Sequence, residues 1–197
     1  MSEIILILRV MIGILFLSTA ISKISDFKKH VIIVKEYEII PQKLAKSFSI
    51  FEVILEFSCA SLLLLGLFPV ISGLVLFILL VLYTTGIVIN LLKKRTTISC
   101  GCGGIAGNHH LSWFLVFRNI VLLTVVYFLL KNQTNLLSLN AVLIHPKDPN
   151  LIFNSNAVLS VLISIFLLFF ISILNSLFFI RSSMNNFLKL AKQIKEG

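Results

Sequence analysis

The chain has 197 residues, 58% of them hydrophobic and 13% charged, and a formal net charge of +9. With a mean hydropathy of +1.05, this composition excludes a water-soluble domain with one core inside a polar skin and defines a membrane protein. The basic residues lie almost entirely in the segments that join apolar runs, without a basic groove or interleaved aromatics, which predicts orientation in a lipid bilayer and no nucleic-acid partner.

In chain order, five runs at about 4–22, 48–66, 69–92, 111–130 and 154–180 are long enough to cross ~30 Å of hydrocarbon. A spanning backbone must satisfy its own hydrogen bonds, and no run alternates like a barrel strand. The expected fold is therefore all-α, a polytopic membrane helical bundle with four core spans and one additional C-terminal span. The first run lacks a basic leading region and carries Arg9, so it reads as a retained span, with Arg9 snorkelling to the nearer interface. Residues 26–41 read as an amphipathic surface helix ended by Pro41. His30 within it, and His145 before Pro146, read as solvated or interfacial. The second and third spans form a tight hairpin, residues 131–153 an Asn-rich connection, and 181–197 a basic tail.

Five spans assign the connections to two faces. One face, A, receives six lysines from residues 23 to 47, three basic residues at 93–95 and four after residue 180. The other, B, receives Lys131 and Lys147. The positive-inside rule then puts face A in the cytoplasm of a multi-pass protein, expected in a bacterial plasma membrane.

Polar residues inside the spans converge on face A. Glu52 and Glu56 stand at i and i+4 in the second span, hence on one stripe, and Arg118 lies seven residues into the fourth. At ~1.5 Å per residue, Glu56 and Arg118 both lie ~10–12 Å deep, which predicts a Glu56–Arg118 ion pair with Glu52 within reach of Lys23. Ser18, Ser22, Lys23, Thr84, Thr85 and Asn90 would complete a polar pocket at the same end. Ionisable residues in spans are candidates for function, the alternative being glue between helices.

That pocket opens toward "TTISCGCGGIAGNHH", residues 96–110. Cysteines at i and i+2 close only a small strained ring, and strained disulfides are the exchangeable ones. Gly101, Gly103, Gly104 and Gly107 let the loop bend closely, and Lys93, Lys94 and Arg95 would favour thiolates. Two other readings stand beside redox exchange: a soft-metal site of Cys100, Cys102, His109 and His110 for zinc or copper(I), against the usual knuckle spacing, and an inert turn. A face-A loop in the cytoplasm also conflicts with stable disulfides. Cys59, alone in the second span, reads as a small hydrophobe.

The order "ILRVMIGILFLSTAISKISDF", "YEIIP", "FEVILEFSCASLLLLG", "INLLKKR", "CGCGG", "LSWFLVFRNIVLL" resembles the MauE family of the wider DoxX-like membrane proteins, over about residues 4–130. The family pattern falls on Arg9, Gly13, Lys23, Asp26, Tyr37, Pro41, Glu56, Asn90, Cys100, Cys102, Arg118 and Asn119. The resemblance implies a four-helix thiol-redox module, similar in outline to the DsbB and vitamin K epoxide reductase class, that exchanges electrons with a thioredoxin-like partner during disulfide maturation of an exported protein. It would be a thiol-disulfide oxidoreductase or the membrane accessory of one. Gly103 departs from the aromatic residue common at that position in the family. The apolar walls of the pocket would suit a quinone, although no residue demands one. The rival functions are a non-enzymatic accessory, carrier or immunity protein whose cysteines only order a loop, and a metal-transfer protein.

Overall fold

The computed structural model describes residues 2–106, 110–132, 134, 136–139 and 155–196. Helices α1 (Ser2–Ser25), α2 (Phe27–Glu36), α3 (Ala45–Leu65), α4 (Pro69–Leu92), α5 (Trp113–Lys131) and α6 (Ser155–Glu196) account for nearly all of them, with a short 3₁₀ turn at Gly104–Ala106. Five helices are long and apolar enough to cross a membrane, α2 being the exception. Their outward faces carry large apolar side chains such as Phe51, Phe114, Phe117, Phe166 and Phe169, all more than half exposed. In lipid such a face has no reason to be polar.

The core lies between α1, α3, α4 and α5, where Ile12, Phe16, Cys59, Leu63, Leu76 and Val126 pack together. The α3–α4 hairpin is closed by Gly66, whose φ of +66° ends α3. Gly66 N–H donates to Leu63 O at 3.2 Å and Leu67 N–H to Leu62 O at 2.9 Å, the paired bonds of a Schellman cap. Pro69 follows at the first turn of α4, where its missing N–H costs nothing.

Helix α6 docks on α1 through a stripe of mostly small residues, Ala157, Ser160, Ser164 and Leu168, all buried. Ser164 Oγ reaches Ile7 O at 3.4 Å. Close approach of backbones through small residues is the usual way helices associate where water supplies no driving force.

Three boundaries or placements differ from the sequence reading. The surface helix stops at Glu36, before Pro41, because the chain turns at Glu38, which adopts φ +51°. The fifth span and the basic tail form one unbroken helix, of which Ser155–Leu174 is the apolar crossing segment. At ~1.5 Å per residue its 42 residues reach about twice the hydrocarbon thickness. Arg9 does not snorkel: it is 3% exposed and its Nη2 donates to Leu136 O at 3.1 Å and Leu137 O at 2.7 Å. A guanidinium buried in the bundle finds carbonyls of the face-B loop more readily than the lipid interface. Of the 131–153 connection, most lies outside the described residues, as does His145.

Candidate functional site

At the face-A end of the bundle, α1, α2, α3 and α4 bring six polar side chains into contact. Lys23 Nζ lies 2.6 Å from Glu52 Oε1 and 2.6 Å from Glu56 Oε2. It also donates to Tyr83 OH at 3.2 Å and stands 4.5 Å from the centre of that ring. Thr19 Oγ1 donates to Glu56 Oε1 at 2.6 Å, and Tyr83 OH to Glu52 Oε1 at 2.7 Å. The second Glu52 oxygen receives His30 Nε2 at 3.0 Å. An ionised carboxylate only accepts, so Nε2 carries the hydrogen in this arrangement.

Helical spacing builds this cluster. Thr19 and Lys23 share one stripe of α1, Glu52 and Glu56 one stripe of α3, and the two stripes face each other. Lys23, Glu52 and Glu56 are 6%, 2% and 1% exposed. In so dry a place the charges persist only because each is paired and hydrogen-bonded.

The predicted Glu56–Arg118 pair is not formed. Lys23 sits between the two glutamates and takes both, and Arg118 Nη2 instead donates to Cys102 Sγ at 3.4 Å. Glu56 and Arg118 line one cavity, but Lys23 reaches Glu56 from the directly opposed stripe of α1. His30, read as solvated, is 7% exposed and part of the cluster. Tyr83 was missed, and Thr84 and Thr85 beside it bond only to carbonyls of their own helix. The signal for Tyr83 was its i, i+7 spacing from Asn90 on the inner face of α4.

The cysteine loop is strapped over this cluster. An isolated antiparallel bridge joins Ser99 and His110, and Leu111 N–H donates to Ile98 O at 3.0 Å, closing the loop at its base. Ile105 N–H donates to Ser18 Oγ at 2.9 Å, which ties the loop to α1. Gly104 makes that approach possible, having φ +56° and a backbone so close to Ser18 that a Cβ would lie 2.6 Å from its carbonyl oxygen. Gly104→Val is therefore expected to detach the loop at a cost of about 1–3 kcal/mol. The check is a lower melting temperature in detergent with unchanged helical circular dichroism, and unaltered melting would refute the strap.

From the other side, Tyr37 OH donates to Cys100 O at 3.4 Å, and Asn90 Nδ2 holds Tyr37 O at 3.2 Å and Gly86 O at 3.0 Å. Asn90 thus clamps the surface segment to α4. Burial pushes the Tyr37 phenol well above its ordinary value, so it stays a donor. Outside, Arg95 Nη2 pairs with Glu38 at 2.7 Å, and that hydrogen bond lowers the Glu38 carboxyl.

Cys100 and Cys102 are not joined by a disulfide in this structure. Cys102 N–H lies 3.4 Å from Cys100 Sγ. The Cys102 thiol is pushed well up, first by its hydrogen bond to Cys100 and then by burial, while Arg118 and Lys23 pull it down. The cations acting on the sulfur are these two, not the 93–95 run, whose Arg95 is engaged by Glu38. His110 Nδ1 is turned to Thr97 O at 3.0 Å, His109 lies outside the described residues, and among the described residues no three His, Cys, Asp or Glu side chains are arranged for a metal.

Two cavities meet at this loop. One, about 260 Å³, lies beneath α2 between α3 and α4 and is lined by His30, Tyr37, Glu52, Cys100 and Cys102. The other, about 310 Å³, lies between α1, α4, α5 and α6, with Thr19, Glu56, Arg118 and Asn119 at its polar end. Lys23, Tyr83 and Cys102 line both and form the partition. Asn119 is buried there, and Cys59 lies in the core and lines neither cavity.

The fold and site define a multi-pass membrane protein with a dithiol loop seated over a buried Lys–Glu–Glu cluster. The sequence profile described as "Methylamine utilisation protein MauE" matches residues 1–131, and the chain belongs to the MauE family. It is 28% identical over 115 residues to the methylamine utilization protein MauE of Paracoccus denitrificans, covering 58% of this chain and 62% of that protein. It is 32% identical over 111 residues to the protein of the same name from Methylorubrum extorquens, covering 56% and 60%. The chain thus spans about three-fifths of the length of these relatives. No solved structure matches it.

Proposed function

We propose that this chain is a membrane thiol–disulfide exchange protein, or the membrane accessory of one, in a bacterial plasma membrane. Its Cys100–Cys102 pair trades electrons with a thioredoxin-like partner in support of disulfide maturation of an exported protein. The observation that carries the reading is the Arg118 guanidinium donating to Cys102 Sγ at 3.4 Å, at the partition between two cavities. A guanidinium aimed at a thiol lowers the cost of the thiolate through which exchange proceeds. The relatives are named for methylamine utilisation, and nothing in the site of this chain is specific to an amine.

This role sets the loop on the outer face, against the charge bias of face A. The bias is one residue weaker than the sequence count, since Lys23 is buried in the site, but it remains large. The chemistry of the dithiol is the more specific guide, and one experiment decides. Intact cells are treated with a membrane-impermeant thiol reagent before and after reduction. Labelling of Cys100 and Cys102 that appears only after reduction is expected. Labelling that requires permeabilised cells would put the loop in the cytoplasm and overturn the role in export.

A further inference from the structure

We propose that the face-B end of the bundle holds one monatomic anion, chloride by size and charge, beside the Arg9 guanidinium. The site lies at the opposite end of α1 from the cysteine loop and does not depend on the thiol-exchange reading.

Helix α1 carries two buried cations, and the fold treats them differently. Lys23, at face A, is neutralised by Glu52 and Glu56 at 2.6 Å each. Arg9, only 3% exposed, pairs with no carboxylate among the described residues. A guanidinium carries its N–H donors in a fixed planar fork. Nη2 gives its hydrogens to Leu136 O and Leu137 O at 3.1 Å and 2.7 Å, whereas Nε and Nη1 are buried and find no acceptor. Two neutral carbonyls leave the charge uncompensated, and donors left bare inside a bundle carry a desolvation cost. A water molecule would accept from the N–H bonds but leave the charge as it is. An anion answers both.

The space beside Arg9 fixes the size of that anion. A cavity of about 20 Å³ between α1, α3, α4 and α5 is lined by Arg9, Asn132 and Thr134 and otherwise by apolar residues such as Leu63 and Val126. On this measure about 10–15 Å³ holds one water, so the cavity admits one atom of that size and excludes an oxyanion or a lipid headgroup. Its other polar groups can donate. Thr134 Oγ1 accepts from Leu136 N–H at 3.3 Å, which leaves its own hydrogen to give. Asn132 Nδ2 donates to Phe128 O at 3.0 Å and has a second hydrogen besides. Pro69, in the first turn of α4, stands on the wall and brings the positive end of that helix dipole to the site. Apolar walls strengthen each of these attractions. With the anion in place, Arg9 ties the carbonyls of 136 and 137 to α1 without a net buried charge, and the bundle is closed at face B.

The test uses the full chain in lipid nanodiscs, with sodium chloride exchanged for sodium gluconate at constant ionic strength. A ligand that binds only the folded state stabilises it in a saturable way. Chloride, and bromide in its place, are expected to raise the melting temperature by about 5 °C at saturation, while sulfate, too large for the cavity, does not. Chloride-35 resonance broadening, reversed by bromide, reads binding directly. Arg9→Met should lose both responses. Should Arg9→Met fail to fold, Thr134→Val keeps the cation, removes one donor and is expected to weaken chloride binding by about tenfold. Equal melting of the parent in chloride and gluconate, with no broadening, would overturn the anion and leave the cavity to water. Sulfate acting as well as chloride would overturn the size assignment. A chloride response retained by Arg9→Met, or undiminished in Thr134→Val where that variant decides, would overturn the placement at Arg9.

Discussion

Cys102→Ser is expected to abolish electron exchange, by at least on the order of 10³-fold, as removal of a covalently reacting group does, without altering the bundle. The side chain lies on the loop, outside the packed core, and serine conserves its shape. Cys100 then has no partner thiol, so a mixed disulfide with a thioredoxin-like protein should persist instead of resolving. The parent chain should also show an asymmetry in alkylation. With Cys59 replaced by alanine, one label should enter the reduced protein readily and the second should lag. The Cys102 thiol is raised by its hydrogen bond to Cys100 and by burial, so at neutral pH it is protonated. Its thiolate fraction, and hence the second labelling rate, should climb about tenfold per pH unit above neutrality until the raised value is passed. Arg118→Met removes a stabilising cation and should slow the second label further. Intact-mass spectrometry across pH reads both effects. Full exchange activity in Cys102→Ser would sink the redox reading and favour a loop that the cysteines merely order.

The spans were legible because lipid imposes one rule, apolar length, and each helix obeys it. Glu52, Glu56 and Lys23 were legible because a charge in a span demands a partner at its depth. What depth alone leaves open is which of several partners wins. Lys23 was counted as a surface charge at the end of its span, yet it is folded inward and takes both glutamates. His30 was read as solvated, and Tyr83 escaped notice, for a related reason. Each is polar and amphipathic, equally at home at an interface, and only the packing of α2 and α4 against α3 turns them toward Glu52. The strap between Ile105 and Ser18 spans 87 residues of sequence, a separation across which no local pattern speaks. The continuity of α6 was hidden by its change from apolar to basic composition, which alters the environment of a helix without ending it.

Lys23→Met should be the most destabilising single change in the site. It would leave two carboxylates facing each other in a low-dielectric interior, with Tyr83 and Thr19 as neutral donors and His30 bonded to Glu52 alone. Breaking a buried ion pair from one side costs about 3–5 kcal/mol, a large share of the stability of a domain. The expected result is a sharp loss of folded protein, or a markedly lower melting temperature in detergent. Lys23→Met with Glu56→Gln removes one charge of each sign, leaves Glu52 with His30 and Tyr83, and should recover most of that loss. A single variant melting with the parent would show that the cluster carries no such pairing energy. The rescued pair then separates glue from chemistry. If Lys23 only bridges α1 and α3, the refolded double variant should exchange thiols as fast as the parent. If the ammonium also acts on Cys102, as its place on the partition between the cavities implies, the double variant should fold and still exchange slowly. The pH dependence of its second alkylation should shift upward, as in Arg118→Met. We expect the second outcome, because a purely structural bridge has no reason to sit where both cavities reach the sulfur.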